Sequence, residues 1–145
     1  MKLVYKGDFM SQEEIKKYFE NLLDEYNQTW YDKDLKKLKE FYDEKTNSLI
    51  YFDNHQNNDT FTVEDHLKLV AKFFQHGKQT ESGSVEKLII ENFNVFENDN
   101  SACLCFIARY NSFPEPAVRT TMYAEKIDGK WKFKHVHCSF EPKSV

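Results

Sequence analysis

Residues 119–139 have the sequence RTTMYAEKIDGKWKFKHVHCS. Two runs rich in aromatic and β-branched residues, which favour extended backbone, lie on either side of Asp128-Gly129. Asp-Gly is one of the dipeptides that form the two-residue turn of a β-hairpin, because both turn positions need positive φ angles. The segment therefore predicts a long antiparallel hairpin near the end of the chain.

The second run of this hairpin alternates large rings with other residues. Side chains at every second position of a strand point to the same face of the sheet. Strict alternation therefore predicts a shared face for Trp131, Phe133, His135 and His137. A face this rich in rings is typical of an interaction surface, so we expect these four residues to form a contact between subunits.

Helical periodicity occupies the first half of the chain. Residues 11–14, Ser-Gln-Glu-Glu, form a capping box, and the apolar residues that follow recur at helical spacing as far as Trp30. A second, shorter helix begins near Asp32. Thr62 is placed to cap a third helix, which carries His66 on its apolar face.

Extended runs dominate the second half of the chain, and a short one at residues 48–53 precedes the third helix. Helices first and strands last predict an α+β fold, in which an antiparallel sheet packs against about three N-terminal helices. A chain of 145 residues is long enough for one hydrophobic core. We expect a single domain over residues 1–145, with its core at about 11–140.

Composition argues against several classes of protein. The net charge of −4 disfavours a nucleic-acid partner, because neutralising phosphates requires clustered Lys and Arg. No run approaches the roughly 20 apolar residues of a membrane-spanning helix, so we expect no membrane partner. Three cysteines fit no disulfide framework and favour a reducing, cytoplasmic location. Isolated glycines form no phosphate-binding loop, and we expect no cofactor.

Three segments carry a resemblance to a known superfamily. Residues 98–104, NDNSACL, are similar to the Gly-Asp-Glu-Ser-Ala-Cys-Ile of the calcium/calmodulin-dependent protein kinase II association (hub) domain. Residues 128–131 and 135–139, DGKW and HVHCS, resemble its Asp-Gly-Lys-Trp and His-Phe-His-Arg-Ser. The chain thus resembles the SnoaL-like domains of the nuclear transport factor 2-like superfamily over residues 11–140.

The resemblance implies a fold and a mode of association. In the superfamily the sheet curves into a cone (a cystatin-like roll), the helices close one side, and a pocket opens between the helices and the sheet. The outer face of the sheet forms dimers. We therefore expect a homodimer or a higher ring, with the chain itself as partner.

The same resemblance bears on the ligand. A histidine corresponding to His66 lines the hub pocket, although a core histidine with a satisfied hydrogen bond is an equal alternative. The hub's carboxylate-binding arginines fall on Ala108, Met122 and Cys138, so carboxylate binding does not carry over. A β-bulge could still return Arg109 to the pocket. We expect a small, largely apolar ligand and no catalysis, with ligand contacts from His66, Phe74, Phe106, Ala108, Tyr110, Met122 and Cys138.

Catalysis is the alternative that the resemblance leaves open. Ketosteroid isomerases and SnoaL-type cyclases use a pocket acid as general base, opposite a hydrogen-bond donor. Here Asp53 or His66 would act as the acid/base of a small cofactor-free isomerase, cyclase or dehydratase, with Tyr18 or Tyr110 as donor. A turn-capping role for Asp53 is the simpler interpretation, because aspartates are common in turns.

A metal site is the last possibility that the sequence raises. Two cysteines and two histidines could bind zinc, and Cys103, Cys105, His135 and His137 occur as pairs on two strands. Ligand pairs in structural zinc sites usually lie on tight turns rather than on flat strands. We therefore expect no metal.

Overall fold

The computed structural model describes residues 10–54, 58–76 and 85–142. Within these ranges the helices and strands follow the predicted order. They are α1 (Gln12–Tyr31), α2 (Leu35–Lys39), β1 (Ile50–Phe52), α3 (Val63–His76), β2 (Leu88–Asn98), β3 (Ser101–Tyr110), β4 (Val118–Ile127) and β5 (Lys130–Phe140). All of them lie within residues 11–140, while parts of the predicted domain at residues 1–145 fall outside the described ranges.

The ends of these elements follow the predicted local signals. The Ser11 hydroxyl accepts from the Glu14 backbone N–H at 3.1 Å, and the Glu14 carboxylate accepts from the Ser11 N–H at 3.3 Å. The Asp65 N–H donates to the Thr62 hydroxyl at 3.1 Å, which caps α3. In the β4–β5 turn, Asp128 and Gly129 have φ angles of 52° and 78°. The predicted capping box, the Thr62 cap and the hairpin turn are therefore confirmed.

The described strands form one sheet in the order β1-β5-β4-β3-β2. Neighbouring strands from β2 to β5 are antiparallel, as predicted. β1 instead runs parallel to β5, with Ile50 opposite His135, so the sheet is mixed. β1 and β5 are far apart in the sequence, so no hairpin joins them and no turn fixes their relative direction.

A β-bulge interrupts β5 at Lys134. Tyr123 of β4 lies opposite His135, but the next residue, Ala124, lies opposite Phe133, which leaves Lys134 unpaired. An extra residue reverses the alternation of side chains beyond it. Phe133 is therefore on the same face as Val136, and both are buried, at 1% and 2% exposure.

The bulge makes the predicted subunit contact wrong for Trp131 and Phe133. Both side chains are buried against the helices of their own protomer. The Phe133 ring lies 4.9 Å from Tyr26 of α1, and the Trp131 ring lies 5.1 Å from Phe19 of α1. His135 and His137 follow the bulge and are on the outer face of the sheet instead.

An ion pair holds the bulge in place. The Lys134 ammonium lies 2.9 Å from the Asp43 carboxylate, and the two side chains are only 16% and 9% exposed. Hydrogen bonding from the Thr46 hydroxyl, followed by that from Lys134, lowers the pKa of Asp43 to about 2. Asp43 follows α2, so this pair joins the last strand to the helical layer.

A second bulge lies in β2. Glu91 pairs with Ile107 and Asn94 with Cys105, so the strand contains one residue more than its partner between these pairs. Asn92 has a φ angle of 54° at this point. Beyond it Phe93 faces inward and stacks on Phe106 at 6.2 Å. Bulges bend a strand and increase its twist, which gives the sheet a concave face towards the helices.

The main hydrophobic cluster lies between α1, α2 and this concave face. Phe19 and Leu23 of α1 and Leu38 of α2 are almost fully buried there, together with Leu104 and Met122 of the sheet. None of the helices in the described ranges is long and apolar enough to cross a membrane.

Candidate functional site

A cavity of about 520 Å³ opens between α3, the C-terminal half of α1 and the concave face of the sheet. Its walls are mainly aromatic and aliphatic side chains from both helices and from β1 to β5. Aromatic rings from four different elements face it, namely Trp30 of α1, Tyr51 of β1, Phe73 of α3 and Phe106 of β3.

Most residues predicted to contact a ligand line this cavity. The six that do are His66, Phe106, Ala108, Tyr110, Met122 and Cys138. Phe74 does not line it, and its ring packs on Trp30 at 5.7 Å. Phe73 lines the cavity instead, because it lies seven residues after His66, about two helical turns, and therefore on the same side of α3. That spacing was readable from the sequence, whereas the contributions of Trp30 and Tyr51 depend on tertiary packing.

His66 lies at the floor of the cavity and is 4% exposed. Its Nε2 is 3.0 Å from the Tyr42 hydroxyl, which is in turn 2.6 Å from the Tyr26 hydroxyl. The imidazole also stacks on the Tyr51 ring at 4.3 Å. His66 is therefore a hydrogen-bonded core histidine that also lines the cavity, and its contact with a ligand stays a prediction.

The floor of the cavity is uncharged at neutral pH. Burial lowers the pKa of His66 to about 4, which leaves the imidazole neutral. Burial likewise raises the pKa of Tyr26 to about 12 and raises those of Tyr42 and Tyr51 well above their usual value. When the His66 proton is on Nδ1, Tyr42 donates to Nε2 and Tyr26 donates to Tyr42.

Cys138 is an unreactive thiol beside this floor. Burial raises the pKa of Cys138 to about 11, and the negative charge of Asp53 adds to the effect. The Thr120 hydroxyl lies 3.9 Å from its sulfur. Because the thiolate is the nucleophilic form, a thiol that stays protonated at neutral pH is a poor nucleophile.

Asp53 lines the cavity one residue beyond β1 and is only partly buried, and we refer to this side of the cavity as its mouth. Burial is the main cause of the raised pKa values of Tyr51 and Tyr110, and the charge of Asp53 raises both further. The Asp53 backbone N–H donates to the Asp59 carboxylate at 3.1 Å, so Asp59 is the residue that caps this turn. Within the described ranges, no side chain forms a hydrogen bond or ion pair with the Asp53 carboxylate.

Neither arginine enters the cavity. Arg109 lies on the outer side of β3, where its guanidinium contacts Glu91 at 3.1 Å and the Pro114 carbonyl at 3.1 Å. Its neighbour Ala108 faces inward, so the bulge in β2 does not return Arg109 to the pocket. Arg119 pairs with Ser139 in the sheet and is exposed.

On the outer face of the sheet, β4 separates the possible zinc ligands of β3 from those of β5. Cys103 lies opposite Tyr123, and Tyr123 lies opposite His135, so one whole strand intervenes between the cysteines and the histidines. Two strand spacings amount to roughly 10 Å, which is too far for one metal ion to bridge. Cys103 and Cys105 are free thiols with their sulfurs 3.9 Å apart.

Exposed apolar side chains collect near the β1 edge of this outer face. Ile50 is 43% exposed and Phe61 is 63% exposed. The Phe52 ring contacts Phe61 at 6.0 Å and His137 at 5.7 Å. We refer to the outward-facing side chains of β1, β4 and β5, together with Phe61, as the outer patch.

The geometry matches solved structures of the NTF2-like fold. No protein-family model matches the sequence, and no curated protein does. The chain is similar to a candidate dehydratase of the NTF2-like family from Streptomyces avermitilis, with a TM-score of 0.75, 10% identity and coverage of 92% of this chain and 100% of the other. An NTF2-like protein of unknown function from Pseudomonas putida KT2440 has a TM-score of 0.72, 15% identity and coverage of 90% and 88%.

A third neighbour is a candidate calcium/calmodulin-dependent protein kinase II association domain from Xanthomonas campestris. Its TM-score is 0.67 at 18% identity, with coverage of 97% of this chain and 95% of the other. Identities this low establish the fold alone. The predicted nuclear transport factor 2-like fold is therefore confirmed, and the function has to be inferred from the site.

Burial of neutral His66 makes stability depend on pH. The pKa of His66 is about 4 in the folded protein, against an unperturbed value of about 6.5, so the unfolded chain binds more protons between these values. The free energy of unfolding should therefore fall as the pH drops from about 6.5 to 4, by up to roughly 3 kcal/mol. Urea unfolding at a series of pH values measures this slope.

The matched variant is His66→Gln, which keeps a side-chain hydrogen-bonding group near Tyr42 but does not titrate. It should flatten the slope in the same pH window. The same slope in the variant and the parent protein would assign the pH dependence to other groups and contradict the buried, neutral state of His66.

Proposed function

We propose that the protein is a ligand-binding and self-associating domain that holds a small, largely apolar molecule without catalysis. The observation that carries this proposal is the open cavity, whose volume of about 520 Å³ lies within the usual range for small-molecule sites. Its floor is neutral, and its walls are predominantly apolar.

The state of His66 favours binding over acid–base catalysis. A general base needs a pKa near the working pH and a free nitrogen within reach of the substrate. Burial places the pKa of His66 at about 4, and its Nε2 is already bonded to Tyr42. Asp53 has no hydrogen-bonded partner among the described residues, so no second acid–base group there is paired with its carboxylate.

The chemistry of the walls favours an uncharged or aromatic ligand body. The positions at which the hub domain carries arginines are occupied here by Ala108, Met122 and Cys138, and all three line the cavity. Arg109 is turned outward against Glu91. A carboxylate placed deep in this cavity would meet no guanidinium, and burying an unpaired charge is costly.

Self-association is the second part of the proposal. The outer patch combines exposed Ile50 and Phe61 with Phe52, His135 and His137. Exposed apolar groups that lie together are typical of protein contacts. One structural neighbour is itself named as a candidate association domain, which agrees with a homodimer or ring. The free thiols of Cys103, Cys105 and Cys138 agree with a cytoplasmic location.

Filling the cavity should abolish ligand binding. Ala108 is 3% exposed and lines the cavity, so Ala108→Phe places a ring inside it. Ile107 is the adjacent residue on the opposite face, which makes Ile107→Phe the matched control. Fluorescence titration with the neutral probe N-phenyl-1-naphthylamine should show at least about a tenfold loss of affinity for Ala108→Phe and little change for Ile107→Phe.

Thermal unfolding of both variants checks that they remain folded. Equal binding of the probe to folded Ala108→Phe and to the parent protein would mean that the probe does not use the cavity. A folded parent protein that does not bind the probe would contradict a ligand-binding pocket.

Charge in the outer patch should disrupt association. Thr121 and His137 lie opposite each other on β4 and β5 and face outward, so the double variant Thr121→Glu/His137→Glu places two negative charges on the proposed contact. Size-exclusion chromatography with light scattering should show a dimer or ring for the parent protein and a monomer for this variant. Lys17→Glu, on the exposed face of α1, is the control and should leave the mass unchanged. A monomeric parent protein, or a double variant of unchanged mass, would contradict the proposed interface.

A further inference from the structure

The mouth of the cavity differs in charge from its floor. Asp53 lines the mouth and is partly buried, yet no cation within the described ranges pairs with its carboxylate. Partly buried carboxylates usually have a positive partner or several donors. The position of Asp53 thus leaves a negatively charged hydrogen-bond acceptor in the lining of the space that a ligand would occupy.

Aromatic side chains line the same cavity as this carboxylate. Tyr51 and Tyr110 line the same cavity as Asp53, and burial, with a smaller contribution from the Asp53 charge, raises the pKa of both phenols. Tyr31 also lines the cavity, but the Lys87 ammonium already lies over its ring at 6.0 Å from the centroid. Trp30 adds a further large ring between α1 and α3. Aromatic faces carry negative electrostatic potential and attract ammonium groups.

Positive charge is scarce in the same space. Of the described lining residues, Lys72 is the single lysine, and it is exposed on α3, where water solvates its ammonium. His76 is also exposed at the end of α3, and both arginines are on the outer side of the sheet. Among the described residues, an anionic ligand would therefore meet the Asp53 carboxylate without a compensating buried cation.

We infer that the cavity selects organic cations, in which an ammonium group is attached to a flat apolar body. The ammonium pairs with Asp53 at the mouth, beside the rings of Tyr51 and Tyr110, and the apolar body fills the neutral floor above His66. This inference rests on the proposed ligand-binding function and adds the charge of the ligand to it.

Three probes that share one apolar frame test the inference. They are 2-(1-naphthyl)ethylammonium, 2-(1-naphthyl)ethanol and 3-(1-naphthyl)propanoate, which differ in the charge of the terminal group. Isothermal titration calorimetry near pH 7 and at low salt compares their affinities. We expect the ammonium to bind at least about tenfold more tightly than the alcohol, and the carboxylate to bind most weakly. Added salt should weaken binding of the ammonium more than that of the alcohol.

Two isosteric variants assign the effect to a residue. Asp53→Asn should reduce the affinity for the ammonium to about that for the alcohol and leave the affinity for the alcohol within about twofold. Asp65→Asn makes the same change of net charge on the exposed surface of α3 and should leave the preference for the ammonium intact. Thermal unfolding confirms that both variants are folded.

The outcomes separate the two levels of the proposal. Equal affinities for the three probes, tightest binding of the carboxylate, or an unchanged preference in Asp53→Asn would overturn selection of cations while the ligand-binding cavity stands. A folded parent protein that binds none of the probes would overturn both the cation selectivity and the ligand-binding function.

Discussion

The bulge at Lys134 positions both the hydrophobic core and the cavity. Without an extra residue in β5, the strand would turn Trp131 and Phe133 to one face and Val136 and Cys138 to the other. With it, both halves of β5 face the helices. The first half packs on α1 and builds the core, and the second half lines the cavity. The Asp43–Lys134 ion pair at 2.9 Å holds this change of register against the helical layer.

The same arrangement divides the cavity into two chemical environments. At the floor, Tyr26, Tyr42 and His66 satisfy one another by hydrogen bonds, so burial keeps them neutral and costs little. At the mouth, Asp53 carries a charge that no described residue neutralises. A neutral floor with an unpaired carboxylate elsewhere in the same cavity is suited to orienting a ligand, because the apolar body and the polar group have separate places to bind.

Local signals in the sequence predicted the elements well. The Asp128-Gly129 turn, the capping box at residues 11–14 and the Thr62 cap each depend on residues within three or four positions, and all three are confirmed.

The bulges could not be predicted in this way. Lys134 is held by Asp43, which is 91 residues away in the sequence. The prediction of one face for Trp131, Phe133, His135 and His137 assumed strict alternation and was wrong for that reason. Alternation correctly predicted that Ala108, Met122 and Cys138 face the cavity. Ala108 and Met122 lie on β3 and β4, which contain no extra residue, and Cys138 follows the bulge in β5.

Deletion of Lys134 would show whether the bulge positions both the core and the cavity. Removal of this residue restores strict alternation, so either Trp131 and Phe133 or Val136 and Cys138 must leave the interior. Urea unfolding of the deletion variant should show a loss of at least about 3 kcal/mol, the typical cost of removing one buried aromatic ring, or no folded state at all. Lys134→Met keeps the extra residue and removes only the ion pair, and it should remain folded with a smaller loss. A deletion variant that unfolds cooperatively at the midpoint of the parent protein would contradict the claim that the bulge positions both the core and the cavity.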